Sequence, residues 1–235
     1  MMSEFFHTAL FGIYPYIALS VFAIGSIIRY DREPYSWRAG SSQLLRRRQL
    51  VTGSVLFHIG VLVIFAGHFV GLLTPIEIFD ALGISHTAKQ LLAIIAGGLA
   101  GLMALAGASL LLHRRLFDAR IRATSSFADN AILIILYIQL LLGLGTIFVS
   151  VNHLDGHEMV TFMEWAQGIF TFDFAASSYI LHAHWIFKAH LVLGLTIFLV
   201  FPFTRLIHIF SAPVRFIFRR GYQVVRRRPV PGAMK

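Results

Sequence analysis

The sequence contains no cysteine. This absence excludes disulfide bonds, thiolate metal sites, cysteine-ligated iron–sulfur clusters and covalently attached c-type haem. Charged residues are also scarce, at 13% of the chain, whereas soluble domains carry about 25%. The apolar class reaches 57% and the mean hydropathy is +0.74. This composition argues against an ordinary soluble fold and favours a membrane protein.

Five apolar stretches are long enough to cross a bilayer as helices, a crossing that takes about 20 residues. The N-terminus lacks a basic segment followed by a small-residue cleavage site, so we expect no removable signal peptide. We predict an all-α integral membrane protein with a membrane domain over residues 1–214 and a basic cytoplasmic tail over 215–235. The five predicted spans, I to V, are about 5–28, 51–73, 90–112, 128–150 and 185–210.

The cationic residues are unevenly distributed between the loops. Of the 20 lysines and arginines, 18 lie between spans I and II, between spans III and IV, or at the C-terminal end. The loop between spans IV and V, about 151–182, contains none. Since positive charge marks the cytoplasmic side, the N-terminus is predicted outside (periplasmic) and the C-terminus cytoplasmic. The net charge of +9 is therefore mainly a topology signal, which predicts contact with anionic phospholipid and no nucleic acid.

Two further segments carry a helical pattern. In the outer loop, apolar residues recur at helical spacing, and we predict a short amphipathic helix over 158–171 that lies on the outer interface. Its predicted apolar stripe is Met159, Phe162, Met163, Ala166 and Phe170. In span III, Gly97 and Gly101 form a small-residue pair, continued by Ala104 and Ala108, that indicates close packing against another helix.

Four histidines lie within apolar spans or at their edges, where ionisable groups are costly and often functional. They are His58 and His68 on span II and His190 and His208 on span V. A single histidine of this kind is more often hydrogen-bonded to a neighbour. Two pairs on two helices favour ligands of non-covalently bound b-type haem instead. His182 and His184, which precede span V, are the main rivals of His190.

The predicted depth of each histidine in the bilayer determines the pairing. Span II enters from the cytoplasm and span V from the outside, so His58 is level with His208, and His68 with His190. Two haems would then be stacked across the membrane as a path for electrons. On straight helices the histidines of span II differ in height by ~15 Å and those of span V by ~27 Å. We therefore expect tilted or kinked helices, with the two histidines of span V five whole turns apart and pointing the same way.

Glycines near these histidines leave two interpretations open. Gly60, Gly67 and Gly71 on span II and Gly194 on span V would let a porphyrin approach the backbone. Alternatively, they form surfaces on which neighbouring helices pack.

The longest distinctive segments are FGIYPYIALSVFAIGSIIRYD at 11–31, FHIGVLVIFAGHFVGLLTP at 57–75, LLHRRLFDARIRAT at 111–124 and HLVLGLTIFLVFPFTRLIHIFSAPV at 190–214. Together they resemble the gamma subunit of respiratory nitrate reductase, a membrane cytochrome b. The resemblance implies two b haems, the cytoplasm-proximal one held by His58 and His208 and the distal one by His68 and His190. It also implies a multi-pass protein of the bacterial inner membrane.

The resemblance further implies the reaction and the partners. Quinol is oxidised near the distal haem, on the periplasmic side. The electrons pass to an iron–sulfur beta subunit and then to a molybdenum alpha subunit, both on the cytoplasmic face. Nitrate is reduced to nitrite in the alpha subunit, so that nitrate reduction itself lies outside this chain.

Some charged residues gain candidate roles from the same resemblance. A lysine at the outer start of the third helix binds quinol in the family, and Lys89 matches it. The alternative is an interface anchor whose ammonium group reaches towards water. From their positions near the span ends, and not from the resemblance, Arg115 and Arg205 are candidate partners for propionates of the inner haem, and Lys188 for those of the outer haem. The alternative for these three is again an interface anchor. The outer loop over 76–87 departs from the family pattern, so the resemblance does not predict that wall of the quinol pocket.

Three other functions stay open from the sequence. One is a cytochrome b anchor of another quinone-linked oxidoreductase, such as a formate dehydrogenase or a thiosulfate reductase. The second is a small proton-coupled transporter that uses the histidines as proton relays, although the sequence shows no inverted repeat and no pair of interrupted helices. The third is a passive anchor without a cofactor.

Overall fold

The computed structural model describes residues 2–33 and 45–211. Throughout these two ranges the chain forms helices and turns without a strand, which confirms the predicted all-α class. Within the described residues, five helices are long and apolar enough to cross a membrane, as predicted. They are Glu4–Arg32, Arg47–Leu73, His86–Phe117, Phe127–Ser150 and Trp185–Phe203. The predicted tail over 215–235 lies outside the described residues.

The α-helices are numbered in chain order. Their bounds are α1 Met2–Thr8, α2 Tyr14–Arg32, α3 Arg47–Leu73, α4 Ile76–Ala81, α5 His86–Phe117, α6 Ala119–Ala123, α7 Phe127–Ser150, α8 His157–Thr171, α9 Ala176–Tyr179 and α10 Trp185–Val200. A π-helical turn, Ala9–Ile13, joins α1 to α2, so that the three elements form span I. Spans II, III and IV are α3, α5 and α7, and span V begins with α10.

The π-helical turn of span I comes immediately before Pro15. Proline lacks a backbone N–H group, and its ring clashes with the preceding turn of an α-helix. A π-helical turn is wider than an α-helical one and makes room for the ring. Span I therefore continues through its proline to Arg32.

Polar side chains determine where several helices begin. Ser85 precedes α5 and Ser126 precedes α7, and each hydroxyl accepts a hydrogen bond from the backbone N–H three residues later. Asp118 precedes α6, accepts hydrogen bonds from the first N–H groups of that helix, and pairs with Arg46 at 2.8 Å. The N–H of Ile121 is the main cause that holds the pKa of Asp118 below its ordinary value. Such caps satisfy N–H groups that have no partner within the helix.

The closest approach between helices is made by α3 and α5, at glycine positions. A Cβ atom at Gly60 would lie 2.6 Å from the carbonyl oxygen of Ala100, and one at Gly107 would also collide with the backbone of α3. Span III is therefore a packing surface, as its small residues predict. The two glycines of the predicted pair differ in their packing. A Cβ atom at Gly101 would contact α7, whereas one at Gly97 would have no neighbouring atom within 4 Å.

The predicted outer helix is present as α8 and lies at the arginine-poor end of the bundle, the end opposite Arg46 and Arg114. It packs into the bundle more than it lies along an interface. The Trp165 indole N–H donates to the carbonyl oxygen of Phe11 at 2.9 Å. The predicted apolar stripe is partly wrong, because Phe170 is exposed whereas Trp165 and Ile169 are buried. The stripe is rotated because these contacts to span I set which face of α8 is covered.

Span V does not continue as an α-helix to residue 210, so this prediction is wrong. After α10 the chain forms a 3-10 turn, Phe201–Phe203, an extended residue, Thr204, and a second 3-10 segment, Arg205–Ser211. The break lies at Pro202, which has no N–H to donate and which clashes with the turn before it. Thr204 then has φ −119° and ψ 178°, so the chain changes direction there.

The break also removes the basis of the expectation that the two histidines of span V point the same way. His190 lies on α10, whereas His208 lies on the 3-10 segment Arg205–Ser211. Their relative direction is therefore not set by five turns of one helix. The expected kink is real, and it is located between these two histidines.

Candidate functional site

The four histidines of the spans come together as two facing pairs. The ring centroids of His58 and His208 are 6.1 Å apart, with 73° between the ring planes. The centroids of His68 and His190 are 6.2 Å apart, with 41° between the planes. Each pair joins α3 to span V, and the partners are those that the predicted depths match.

Both separations suit one metal ion held between two imidazoles. With metal–nitrogen bonds of about 2.0 Å on opposite sides of the ion, the ring centroids lie about 6 Å apart. Across residues 2–33 and 45–211 no group of three or more histidines and carboxylates surrounds a common point. A bare ion such as zinc takes three or four protein ligands. A two-histidine site suits a metal whose remaining ligands come from a macrocycle, as in haem.

Three of the four imidazoles are oriented by a backbone carbonyl group. The Nδ1 atoms of His58 and His68 lie 2.7 Å and 2.9 Å from the carbonyl oxygens four residues earlier, and Nδ1 of His208 bonds to the carbonyl oxygen of Arg205. Because a carbonyl oxygen only accepts, each Nδ1 must carry the proton. Nε2 is then left with a lone pair, the arrangement found in metal-ligating histidines.

His190 is held differently, by α7. The Gln139 side chain donates to the backbone carbonyl oxygen of His190 at 3.1 Å and lies 3.4 Å from its Nε2. A Cβ atom at Gly143 would approach the ring to 3.0 Å. Within the part of the chain that the structure describes, Nδ1 of His190 is buried without a hydrogen-bond partner. Gln139 was not among the predicted site residues. The feature that could have indicated it is a single amide side chain in the apolar middle of α7.

The glycines near the histidines divide between the two interpretations. Gly60 packs against α5, and a Cβ atom at Gly194 would lie 3.2 Å from the side-chain nitrogen of Gln139, so both are packing positions. Gly67 and Gly71, on either side of His68, have no heavy atom within 4 Å of the Cβ position. The surface of α3 beside His68 is thus open and smooth, as a flat macrocycle requires.

Lys89 is buried, with only 6% of its surface exposed. Its ammonium group donates to the carbonyl oxygen of Gly71 at 3.2 Å and to the sulfur of Met163 at 2.8 Å, and it lies 3.8 Å from the ring centroid of Phe79. This burial does not suit an interface anchor, whose charge reaches water. Because Gly71 lies three residues after His68, the cation is placed beside the second histidine pair.

The three candidate propionate partners lie near the ends of the bundle. Arg115 and Arg205 flank Asp129, at 3.9 Å and 3.7 Å from its carboxylate oxygens. Within the described ranges, Nη1 of Arg115 is buried and has no hydrogen bond. Arg205 also provides the carbonyl group that orients His208. At the other end, the ammonium group of Lys188 donates to the carbonyl oxygen of Leu181 at 2.6 Å.

Several histidines outside the pairs bond to backbone groups or to a carboxylate. His7 bonds to the carbonyl oxygen of Ser177 at 2.8 Å, and His86 lies 3.3 Å from Asp80. His184, a predicted rival of His190, accepts a hydrogen bond at the start of α10. These contacts lie at the ends of spans or in the segments between them, whereas the two facing pairs connect different spans.

Five membrane-length helices with two stacked histidine pairs define a class, the integral membrane proteins with the layout of a cytochrome b. A family model described as the nitrate reductase gamma subunit matches residues 7–228. The chain belongs to this family. It is therefore a subunit of an oxidoreductase complex and a multi-pass protein of the bacterial inner membrane.

Individual relatives are similar over nearly their whole lengths. The respiratory nitrate reductase 1 gamma chain of Escherichia coli (strain K12) is 51% identical, over 96% of this chain and 99% of the relative. The respiratory nitrate reductase 2 gamma chain of the same strain is 48% identical, over 97% and 100%. The nitrate reductase gamma chain of Bacillus subtilis (strain 168) is 40% identical, over 93% and 97%.

Proposed function

We propose that this chain holds two b haems, oxidises membrane quinol at the periplasmic side, and delivers the electrons to an iron–sulfur beta subunit and a molybdenum alpha subunit that reduce nitrate to nitrite. The relatives support the overall reaction, since their names are those of nitrate reductase gamma chains. The observation that carries the proposal is the pairing of four histidines at centroid distances of 6.1 Å and 6.2 Å.

The four imidazoles would each supply a nitrogen ligand to haem iron, His58 and His208 to one haem and His68 and His190 to the other. Haem, when bound, supplies an iron that takes up and gives away one electron at a time. The carbonyl partners of the Nδ1 atoms keep the rings of His58, His68 and His208 in one tautomer and one orientation. Arg115 and Arg205 would pair with propionates at the first site, and Lys188 would do so at the second.

Lys89 would bind the quinol. An ammonium group carries three N–H donors, and Gly71 and Met163 accept two of them. The third, now on the side of the Phe79 ring, would be donated to a quinol oxygen close to the pair formed by His68 and His190. Oxidation would release two protons and two electrons from each quinol, and the position of Lys89 at the arginine-poor end supports release of the protons on the outer side.

The charge distribution supports the direction of the reaction. The arginine-rich end, which carries Arg46, Arg114 and Arg205, would face the cytoplasm under the positive-inside rule. The partner subunits and anionic phospholipid would then meet this positively charged end. Electrons would move inward while protons leave outward, so that the reaction separates charge across the membrane.

A reduced-minus-oxidised spectrum of the purified complex tests the proposal. Reduction with dithionite and haem extraction should give two b-type haems per chain. A chain without haem would refute the proposal and favour a transporter or a passive anchor. Substitution of His68 or His190 by alanine should remove one haem and stop quinol oxidation while the other haem persists. His113→Ala is the matched control, since His113 is exposed and belongs to neither pair; simultaneous loss of both haems from a single pair variant would contradict separate sites.

A further inference from the structure

Arg29, near the end of span I, is hydrogen-bonded to the break in span V. One guanidinium nitrogen, Nη1, donates to the carbonyl oxygen of Pro202 at 2.6 Å and to that of Thr204 at 3.0 Å. These contacts join residues that are 173 and 175 positions apart in the chain. In the sequence, Arg29 is only one of the cations that indicate topology.

The break creates the need for such a donor. After α10 ends at Val200, the chain forms only a short 3-10 turn and an extended residue, so carbonyl groups there lack the partners that a continuous helix would provide. In a membrane there is little water to replace these partners, so each unsatisfied carbonyl is costly. The carbonyl groups of Pro202 and Thr204 lie on either side of the change of direction, and a single guanidinium group bonds to both.

Span I also packs directly on the break. A Cβ atom at Gly25 would lie 2.8 Å from the ring of Pro202, so only glycine lets the two segments approach this closely. The ring of Phe22 makes edge-on contact with Phe201 at 4.9 Å between centroids and a tilted contact with Phe210 at 6.0 Å. Arg29 lies one turn beyond Gly25 on the same helix, so hydrogen bonding and packing act on the same point of span V.

The residues held by Arg29 lead directly to His208. Thr204 is followed by Arg205, whose carbonyl oxygen bonds to Nδ1 of His208. The Thr204 hydroxyl also accepts the N–H of Leu206 at 3.3 Å, which ties the held residue to the start of the 3-10 segment. Any shift of Thr204 is therefore transmitted to the imidazole of His208 within one short turn.

We propose that Arg29 is a positioning residue, which fixes the broken end of span V so that His208 faces His58 at the distance needed to share one metal. This inference depends on the proposed function, because His208 must act as a haem ligand. The effect is local to one pair, since His68 and His190 lie on continuous helices, α3 and α10. The two haems therefore provide an internal comparison within each molecule.

The test uses the full chain in membranes together with its partner subunits. The variants are Arg29→Gln and Arg29→Lys, with Arg32→Gln as the control, because Arg32 is an exposed arginine one turn further along the same helix. Haem content and the low-spin electron paramagnetic resonance signal of each haem are measured. His208→Ala and His68→Ala assign each signal to its pair. A parent protein without haem would refute the proposed function, and this inference with it.

In Arg29→Gln the signal of the His58–His208 haem should shift or disappear, with haem content falling from two towards one per chain, while the other signal stays at its parent position. Arg29→Lys should restore the signal in part, because an ammonium group can donate to the carbonyls without the planar geometry of the guanidinium. Unchanged signals in Arg29→Gln, or equal changes in both haems, would overturn the inference. If Arg29→Gln does not accumulate in membranes, Arg29→Lys decides: a selective shift supports positioning, and two parent-like signals reject it.

Discussion

Gly60 provides the sharpest test of the packing between α3 and α5. In Gly60→Ala, the new Cβ atom would lie 2.6 Å from the carbonyl oxygen of Ala100 and 2.7 Å from the backbone nitrogen of Ala104. Both atoms belong to a helix backbone and cannot rotate away. Ordinary contact begins near 3.4 Å, so the two helices must separate by about 0.8 Å at this point, a displacement typical of overpacked cores.

The cost of such overpacking is about 1–3 kcal/mol. At about 2–4 °C per kcal/mol for a chain of this size, the thermal midpoint should fall by roughly 2–12 °C. The assay is thermal denaturation of the detergent-solubilised complex, followed by the loss of the haem absorbance band. Gly60 lies two residues after His58. The electron paramagnetic resonance signal of the haem at the His58–His208 pair should therefore shift before that of the other haem.

The matched control is Gly97→Ala, on the helix that faces α3. Gly97 has no atom within 4 Å of its Cβ position, so alanine adds only its better helix propensity, which favours the folded state by up to about 1 kcal/mol. The two substitutions should therefore move the midpoint in opposite directions. A Gly60→Ala protein that melts at or above the parent midpoint would refute the proposed backbone contact.

Other parts of the structure give three further predictions. Lys89→Ala should weaken binding of a quinol analogue at least about tenfold without loss of haem, because a hydrogen bond from a charged group contributes about 1.5–3 kcal/mol. An unchanged titration curve for the analogue would exclude Lys89 as a quinol-binding residue. The pKa of Asp118 is lowered mainly by backbone N–H groups, so the stability that its carboxylate contributes is complete above the unfolded pKa and is lost as the pH falls through the folded pKa. Between pH 7 and pH 3 the parent should therefore begin to lose this stability in melting curves, whereas Asp118→Asn should not, and parallel curves would contradict the prediction. Gln139→Leu should shift the electron paramagnetic resonance signal of the haem at the His68–His190 pair and leave that of the His58–His208 pair unchanged. Equal shifts of both signals would contradict this prediction.

The sequence was sufficient for the features that depend on one helix at a time. Apolar length gave the five spans, and the arginine distribution ordered the histidines by depth, so that His58 and His208 could be matched. The small residues of span III indicated a packing face. All of these follow from the rise of a helix and the thickness of a bilayer, which are nearly constant.

Contacts between helices could not be derived in the same way. The partners of Gln139 and Arg29 are 51 and at least 173 residues away in the chain, and no spacing rule connects them. The same limit applies to α8, where helical periodicity gave the element but not the face that it buries. Trp165 is turned inward because Phe11, on span I, offers a carbonyl acceptor.

The break in span V follows from the geometry of the two pairs. Ten residues separate His58 from His68, a rise of ~15 Å, and ten residues also separate His190 from Val200, the last residue of α10. The α-helix thus ends at the level where its partner helix carries His58. A helix that continued to residue 208 would rise ~12 Å further and carry its histidine past this level. Pro202 stops the helix, the extended residue Thr204 turns the chain aside, and the 3-10 segment presents His208 beside His58. The proline therefore lies where a continuous helix would carry residue 208 past the level of His58. The carbonyl groups at this break explain why an arginine of span I bonds at that point.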